Sequence, residues 1–420
     1  MVGSGKSIES ARKWVSSCLD GVEGDAEHLR FPGFTDELGF YSKPNLDGGW
    51  TEVLTQQELD EVKKTKVHSE KFRLALDTVC EKVRILSRKD HAPDVILLAL
   101  PDELLSQCQV TDYVDPQLGT VHRDLRRALK AELMRFQKPT QILLQRTSEA
   151  APTSRSVDHK SVCAWNIFTG MYFKAGGVPW APVGLKPGTC YVGISFYRPL
   201  GTAKASSIRA SVAQAFDEHG EGLILRGPEF QWDENEFGKS PHLSAAHAEQ
   251  LLASVLEQYR STQGQMPSRV VVHKSSRFWP EERQGLQQAI SSRDIPKYDL
   301  VAVNSTSELR LIRAGQYPVL RGTHFALNDI HFLYTTGFLT AQNGYPAGHV
   351  PSPLQVADHI GDSPVSDVLK EILILTRMNW NSSNPFISTP ITLRFSDLVG
   401  DILREIPTDR EPLPQFKFYV

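Results

Sequence analysis

The sequence predicts an α/β protein built on two sheets, and three observations carry that prediction. Residues 94–100 (DVILLAL) and 141–146 (QILLQR) are short apolar runs of the buried-strand type, with helical patterns between and after them. From residue 189 the pattern changes to three short strand-like runs in succession, after which helix and strand alternate. With 420 residues, 40% hydrophobic and 23% charged, the composition is that of a folded globular chain holding one large core or a few smaller ones.

In the first half, the strand at 94–100 ends at Pro101 and leads toward a basic segment, residues 122–141 (HRDLRRALKAELMRFQKPTQ), with six Lys or Arg against two acids. Leu125, Ala128, Leu129 and Leu133 recur at helical spacing, so the segment has an apolar stripe to bury. Arg126 and Lys130, four apart, then share a face beside that stripe and can converge charge-assisted hydrogen bonds on a phosphate. A solvated basic face is the alternative. After the strand at 141–146 and a polar loop, residues 160–175 read as a helix stopped by Gly176, Gly177 and Pro179, with Lys174 in its last turn.

The second half begins with a meander of strands at 189–198, 205–216 and 221–227. A helix over 243–260, a strand at 269–274, a helix over 280–291 and a strand at 298–303 complete the order of an RNase H-like sheet. Further strand-like runs lie at 308–313, 317–327 and 331–337, followed by helices around 364–378 and 395–405. Residues 1–74 show little periodicity although they carry Phe31, Phe34, Phe40, Tyr41 and Trp50, and read as an N-terminal extension that docks on a partner or enlarges the first core. The run Gly3 to Ser7 (GSGKS) spells the tail of a phosphate loop but lacks the earlier glycine and a preceding strand, so a flexible start is expected there.

The net charge of −3 gives no global argument for nucleic acid, so any such partner must be met by local basic patches. Cys18, Cys80, Cys108, Cys163 and Cys190 are scattered, without a C-x-x-C pair, which points to a reducing compartment and away from structural zinc. No apolar run is long enough for a membrane span and no signal-peptide pattern opens the chain, so a cytoplasmic location is expected.

A nuclease on an RNase H-like sheet gathers carboxylates around two divalent metals, which need charged oxygen ligands. The middle of the first strand (CYVGISF) instead offers Ser195, and the end of the next offers His273, Lys274 and Ser275. A serine hydroxyl is a weak neutral ligand, and a lysine beside the site would repel Mg²⁺.

The phrases VGIS (192–195), VVHKSS (271–276), LRGT (320–323), LYTTG (333–337), LTRMNW (375–380) and PITLRFSDLV (390–399) resemble, in that order, the PIWI domain of Argonaute proteins. DVILLALPDELL (94–105), LRRALKAELMRFQKPTQ (125–141) and Lys174 resemble the MID domain. The resemblance implies an N-terminal extension over 1–74, a Rossmann-like MID domain over 75–185 and an RNase H-like PIWI domain over 186–420, similar to the short prokaryotic Argonautes. It implies a degenerate acidic tetrad at Ser195, Ser275 and Asp397, the last a relic or a helix-start residue. The second tetrad position stays open, with Glu221 and Glu229 as candidates, and the chain is expected not to slice.

By the same resemblance, Arg126, Lys130, Gln141 and Lys174 bind the 5′ phosphate of a guide, and Gln141 with the carboxylate of Val420 holds a Mg²⁺ between guide phosphates. Many Argonautes have an aromatic residue where Arg126 stands; a guanidinium plane stacks instead, or His122 occupies the region. Arg313, Arg321, Asn379 and Asn381 match regions that follow guide and target backbones. The implied function is recognition of single-stranded target DNA by a guide RNA. Target binding would activate an APAZ-domain effector in a heterodimer, either a TIR or sirtuin-like NAD⁺ hydrolase or a nuclease, in defence against plasmids and phages. An active guided nuclease using Asp397, and an interaction scaffold without nucleic acid, are the competing readings.

Overall fold

The computed structural model describes all residues except 26–27, 47–48, 151–156, 202–205, 216–221, 306, 316–318, 339–349 and 381–386. The first half runs β1 (Val2–Gly3), α1 (Gly5–Ser16), β2 (Glu52–Val53), α2 (Gln56–Lys64), α3 (His68–Ser87), β3 (Ile96–Leu100) and α4 (Asp102–Cys108). It continues through a hairpin of β4 (Val110–Asp115) and β5 (Gly119–Asp124), then α5 (Leu125–Leu133), β6 (Thr140–Leu144), α6 (Gln145–Ser148) and α7 (Lys160–Lys174). The sheet order is β2-β1-β3-β6, all parallel, and both faces are covered. Strand β3 shows why: Ile96, Leu98 and Leu100 face a core with α3 and α5, while Leu97 and Ala99 face α1 and α7.

Of the two alternatives for residues 1–74, this arrangement agrees with the enlarged first core. Val2 is fully buried in β1, between β2 and β3, and α1 adds Ile8, Ala11, Trp14 and Val15 to the core. Phe31 and Phe34 are buried against Phe168 of α7, so this segment is part of the first domain, and the boundary expected at 74/75 falls inside α3. Nor is the start flexible, because GSGKS joins a strand to a helix capped by Ser4. A Cβ at Gly3 would lie 2.3 Å from the Ala99 carbonyl oxygen, so the glycine permits the close approach of β1 to β3.

The second half holds β7 (Thr189–Tyr197), β8 (Ser207–Ala215), β9 (Leu223–Gln231), α8 (Glu234–Phe237), α9 (Ala245–Gln263), β10 (Arg269–Lys274) and α10 (Pro280–Ser291). Then come β11 (Lys297–Asn304), β12 (His324–Leu327), β13 (Ile330–Leu333), β14 (Leu354–Gly361), α11 (Val365–Leu375) and α12 (Ile391–Leu403). The sheet order is β12-β13-β14-β11-β10-β7-β8-β9, with β7, β10 and β11 parallel and the other pairs antiparallel. Val270 and Val272 of β10 face α9 and α10, and Val271 faces α11 and α12. Residues 308–313 form no strand, and β14, which the sequence reading lacked, takes the place beside β11. Helix α12 starts four residues earlier than the expected 395, because Pro390 supplies an N-cap with φ fixed near −60°.

A cationic pocket shared by both sheets

Helix α5 starts where β5 ends, with the Asp124 carboxylate accepting from the backbone N–H groups of Arg126 and Arg127 at 2.9 and 3.0 Å. Its apolar side chains are divided between two cores. Leu125, Ala128, Leu129 and Leu133 enter the first, whereas Ala131, with Met134 just beyond the helix, enters the second. Three ion pairs fasten it and the end of β5 to the C-terminal part of the chain: Arg123 of β5 to Glu405 at 2.8 Å, Arg127 to Asp401 at 2.6 Å and Arg410 to Glu132 at 3.0 Å. The first of these is nearly dry, and burial pushes the Glu405 carboxyl up against the pull of Arg123, whereas the charges of the exposed Arg127 pair are solvated.

At this junction lies a cleft of about 350 Å³ lined by Arg126, Lys130, Phe395, Phe416, Tyr419 and Val420, among others. Lys130 donates to the backbone oxygen of Val420. Lys174, 1% exposed at the end of α7, donates to Gln141 Oε1 on β6 at 2.5 Å. Burial, then the charge of Arg126, holds Lys130 down to about 7. Burial, then the charge of Lys130, also puts Lys174 well below the ordinary lysine value. A row of cations thus adds to burial, Arg126 acting on Lys130 and Lys130 on Lys174, in a site that a dianion would relieve. Arg126 is exposed, beside this pair. Phe416 stacks on Phe395 with ring centroids 3.8 Å apart and packs on Phe173, which holds residues 416–420 against the cleft.

The structure therefore brings Arg126, Lys130, Gln141, Lys174 and Val420 to one place. His122 is not among the lining residues; it sits on β5 and pairs with Asp112 across the hairpin at 2.6 Å. Gly170 of α7 leaves room for the Gln141 amide, since a Cβ there would be 3.1 Å from Oε1. Gly170→Ala is expected to push that amide off Lys174 and weaken binding of a phosphorylated oligonucleotide roughly 3- to 10-fold, the worth of one ordinary hydrogen bond. A filter-binding titration checks this.

The three positions expected for a degenerate tetrad also lie together. Lys274 pairs with Ile194 in the parallel register of β10 and β7, so Ser275 follows at the level of Ser195. Asp397, on α12, is hydrogen-bonded to Ser195; burial pushes its carboxyl up, against the pull of Ser195 and Arg394. It stands in the middle of α12, which corrects its reading as a helix-start residue. Lys274 does not repel metal there, because its ammonium is turned to the other face of the sheet, 2.5 Å from Glu282 and 3.0 Å from His242. His273 faces α12, with Nδ1 2.9 Å from Thr392 Oγ1, and burial then Arg269 lower it to about 3, so it is neutral. Glu229 accepts from Arg209 at 2.5 Å and from Ser207, which takes it out of contention for the second position; Glu221 lies outside the described residues.

The expected backbone-contact residues are dispersed. Arg321 is partly exposed, and its Nη2 donates to Leu373 O at 3.0 Å and Thr376 Oγ1 at 2.7 Å, which pins it to the end of α11. Asn379 is 6% exposed between the buried Met378 and Trp380, which removes it from any surface path. Arg313 is exposed, and Asn381 lies outside the described residues. The sequence reading missed Arg226, whose guanidinium donates to the carbonyls of Leu403, Ile406, Pro407 and Arg410 and so holds the end of α12 in place. A lone arginine inside the strand-like run EGLILRG was the signal available for it.

No family model matches the chain. It is 28% identical over 301 residues to the Argonaute of Thermus thermophilus, which covers 69% of this chain and 39% of that protein. Its fold superposes on Clostridium butyricum Argonaute bound to a guide DNA and a 19-mer target DNA with a TM-score of 0.65, at 14% identity, over 100% of this chain and 49% of that one. Superposition on A. aeolicus Argonaute gives a TM-score of 0.57 at 16% identity, over 99% of this chain and 49% of that one. The chain thus spans half or less of the length of these relatives, and its two sheets have the Argonaute fold, as the RNase H-like order and the MID-like segment led one to expect.

Proposed function

We propose, from this homology and from the pocket, that the chain anchors the 5′ phosphate of a short guide, RNA in our reading, and presents it for pairing with complementary single-stranded DNA. The observation that carries the reading is the juxtaposition of Lys130 and Lys174, two depressed ammonium groups at the seam of the two sheets. A phosphate entering there accepts charge-assisted hydrogen bonds from both, each worth about 1.5–3 kcal/mol. The Gln141 amide positions Lys174, and the planar Arg126 guanidinium beside the pair would lie against the first base. Sequence is then read by the guide, the protein supplying backbone contacts such as Arg313.

Gln141 Oε1 and the Val420 backbone oxygen are the atoms that would hold a Mg²⁺, and both already accept from lysines. That donor set fits the ion only if phosphate oxygens complete its octahedron, so the ion would add charge neutralisation to a grip the lysines make themselves. We further propose that the chain does not slice, because one acid and two serines at the tetrad positions cannot hold two metals. Its output would then come from a partner, an APAZ-domain effector bound as a heterodimer and switched on by target recognition in defence against plasmids and phages.

The test is to load the protein with a 5′-phosphorylated guide and add labelled complementary DNA with Mg²⁺ or Mn²⁺. The expected result is retention of intact DNA. Guide-specific cleavage that disappears in Asp397→Ala would overturn the non-slicing reading, and equal binding of 5′-phosphorylated and 5′-hydroxyl guides would overturn the anchoring one.

A further inference from the structure

At the end of α7 away from Lys174, a length of about 22 Å at 1.5 Å per residue, three ligand-type side chains meet. Asp25, His28 and His159 each offer one ligand atom, and these atoms all lie within 4.8 Å of one another. His28 Nδ1 is 2.8 Å from Asp25 Oδ1, and His159 Nε2 is 3.9 Å from Asp25 Oδ2. The two imidazoles are stacked, with centroids 4.7 Å apart and planes 6° from parallel, so both rings present an edge to the same carboxylate.

We propose that Asp25, His28 and His159 bind one divalent transition-metal ion of borderline softness, with Zn²⁺ the biological candidate. Two imidazole nitrogens and one carboxylate oxygen form a set that suits such ions, whereas Mg²⁺ and Ca²⁺ need more oxygen ligands than one carboxylate gives. In a tetrahedral Zn²⁺ site with bonds of about 2.0–2.1 Å, ligand atoms stand about 3.3 Å apart. His28 Nδ1 approaches Oδ1 of Asp25 and His159 Nε2 approaches Oδ2, and the three ligand atoms lie within 4.8 Å, so the site is reached by rotating the stacked rings and the carboxylate about their side-chain bonds. The fully buried Ser161 hydroxyl is 2.8 Å from His159 Nδ1, which also accepts from the Ser161 backbone N–H at 3.3 Å; Nε2 becomes the metal-facing nitrogen when Nδ1 gives up that cap and donates to the hydroxyl. Lys160, next in sequence, sends its ammonium to Ser17 Oγ at 2.8 Å.

All three side chains are partly solvent-accessible, which leaves a path for the ion and a position for water. The site would fasten the segment that leads into Phe31 and Phe34, both packed on Phe168, to the first turn of α7. Holding that segment is a structural role, separate from the phosphate pocket.

The experiment is titration of the chelator-treated full chain with Co²⁺ alone, read by its visible d–d absorption, with Zn²⁺ competition. One equivalent with a tetrahedral-type spectrum, displaced by Zn²⁺, is expected. Asp25→Asn and His28→Ala should each weaken it at least about 10-fold while leaving the circular dichroism unchanged. His159→Ala should do the same, but that variant also removes a helix cap, so Asp25→Asn and His28→Ala decide. His324→Ala, which breaks the other histidine pair, 3.0 Å apart on the β12–β13 hairpin, is expected to change nothing. Absence of stoichiometric binding, or loss of the signal with His324→Ala and not with Asp25→Asn, would overturn the proposal.

Discussion

Lys174→Ala is expected to weaken binding of a 5′-phosphorylated oligonucleotide by roughly 10- to 150-fold, with little effect on its 5′-hydroxyl counterpart. The range corresponds to one hydrogen bond to a charged group, about 1.5–3 kcal/mol. Lys130→Ala should act in the same direction, and the double variant should lose more than the sum, because removing Lys130 lifts a charge that depresses Lys174. Binding should also depend on pH. Lys130 is held down to about 7 in the empty pocket, and a bound phosphate raises it. Above pH 7 the complex therefore takes up a proton that the free protein lacks. Affinity then falls by up to about tenfold per pH unit, as pH rises, for each of the two lysines that takes up a proton on binding. Below about pH 6 the phosphate monoester itself begins to protonate, so affinity peaks between the two. Fluorescence anisotropy across pH 5.5–9 with both oligonucleotides is the measurement, and a flat profile would remove the buried lysine from the explanation.

The largest effect on stability is expected at Arg269, far from the pocket. Its guanidinium, 4% exposed, donates to Asp299 at 2.8 Å and to both oxygens of Glu371 at 2.6 and 3.0 Å, linking β10, β11 and α11. Arg269→Met leaves two carboxylates buried without a cation and should cost about 3–5 kcal/mol. Adding Asp299→Asn and Glu371→Gln should recover part of that loss, since it removes the stranded charges. Burial opposes ionisation of Asp299, but His359, Ser363 and Arg269 outweigh it and hold the group to about 2, below its ordinary value of 3.8. In the native protein its contribution is therefore present above pH 3.8 and is lost as pH falls toward 2. In Arg269→Met, protonation relieves the buried carboxylates, so the gap to the native protein should narrow between pH 7 and 4. Urea denaturation followed by tryptophan fluorescence measures both effects, and a loss below about 1 kcal/mol would show that the triad behaves as a solvated pair.

Elements with an apolar run or stripe between charged or capping ends were the easiest to read. Strand β10, with Val270, Val271 and Val272 between charged ends, and α10, opened by Pro280, agree with the sequence to the residue. What stayed hidden is short or interrupted. Strand β1 has two residues, too few for any period, and its place in the sheet is made by α1 and by β3. In β14 the alternation of Leu354 and Val356 breaks at Asp358 and His359, which are used by Arg283 and Asp299. The run at 308–313 has strand composition, yet Ile312 is 88% exposed and nothing pairs with it among the described residues. In the pocket, the four-residue spacing of Arg126 and Lys130 was legible, but the meeting with Val420 is a tertiary event. The direction of Lys274 could have been read, because alternate residues of a strand face opposite ways and it follows His273.

Helix α5 belongs to both halves of the molecule, and this limits how the chain can be dissected. A fragment ending near residue 185 would carry Lys130 and Lys174 but expose Ala131 and Met134, and it would strand Arg123, Arg127 and Glu132 without Glu405, Asp401 and Arg410. Such a fragment would present half a binding pocket on a newly sticky surface. The converse piece would lose one wall of its own interior. Domain boundaries drawn by sequence therefore mark where the two sheets separate, and say little about where the working unit can be cut.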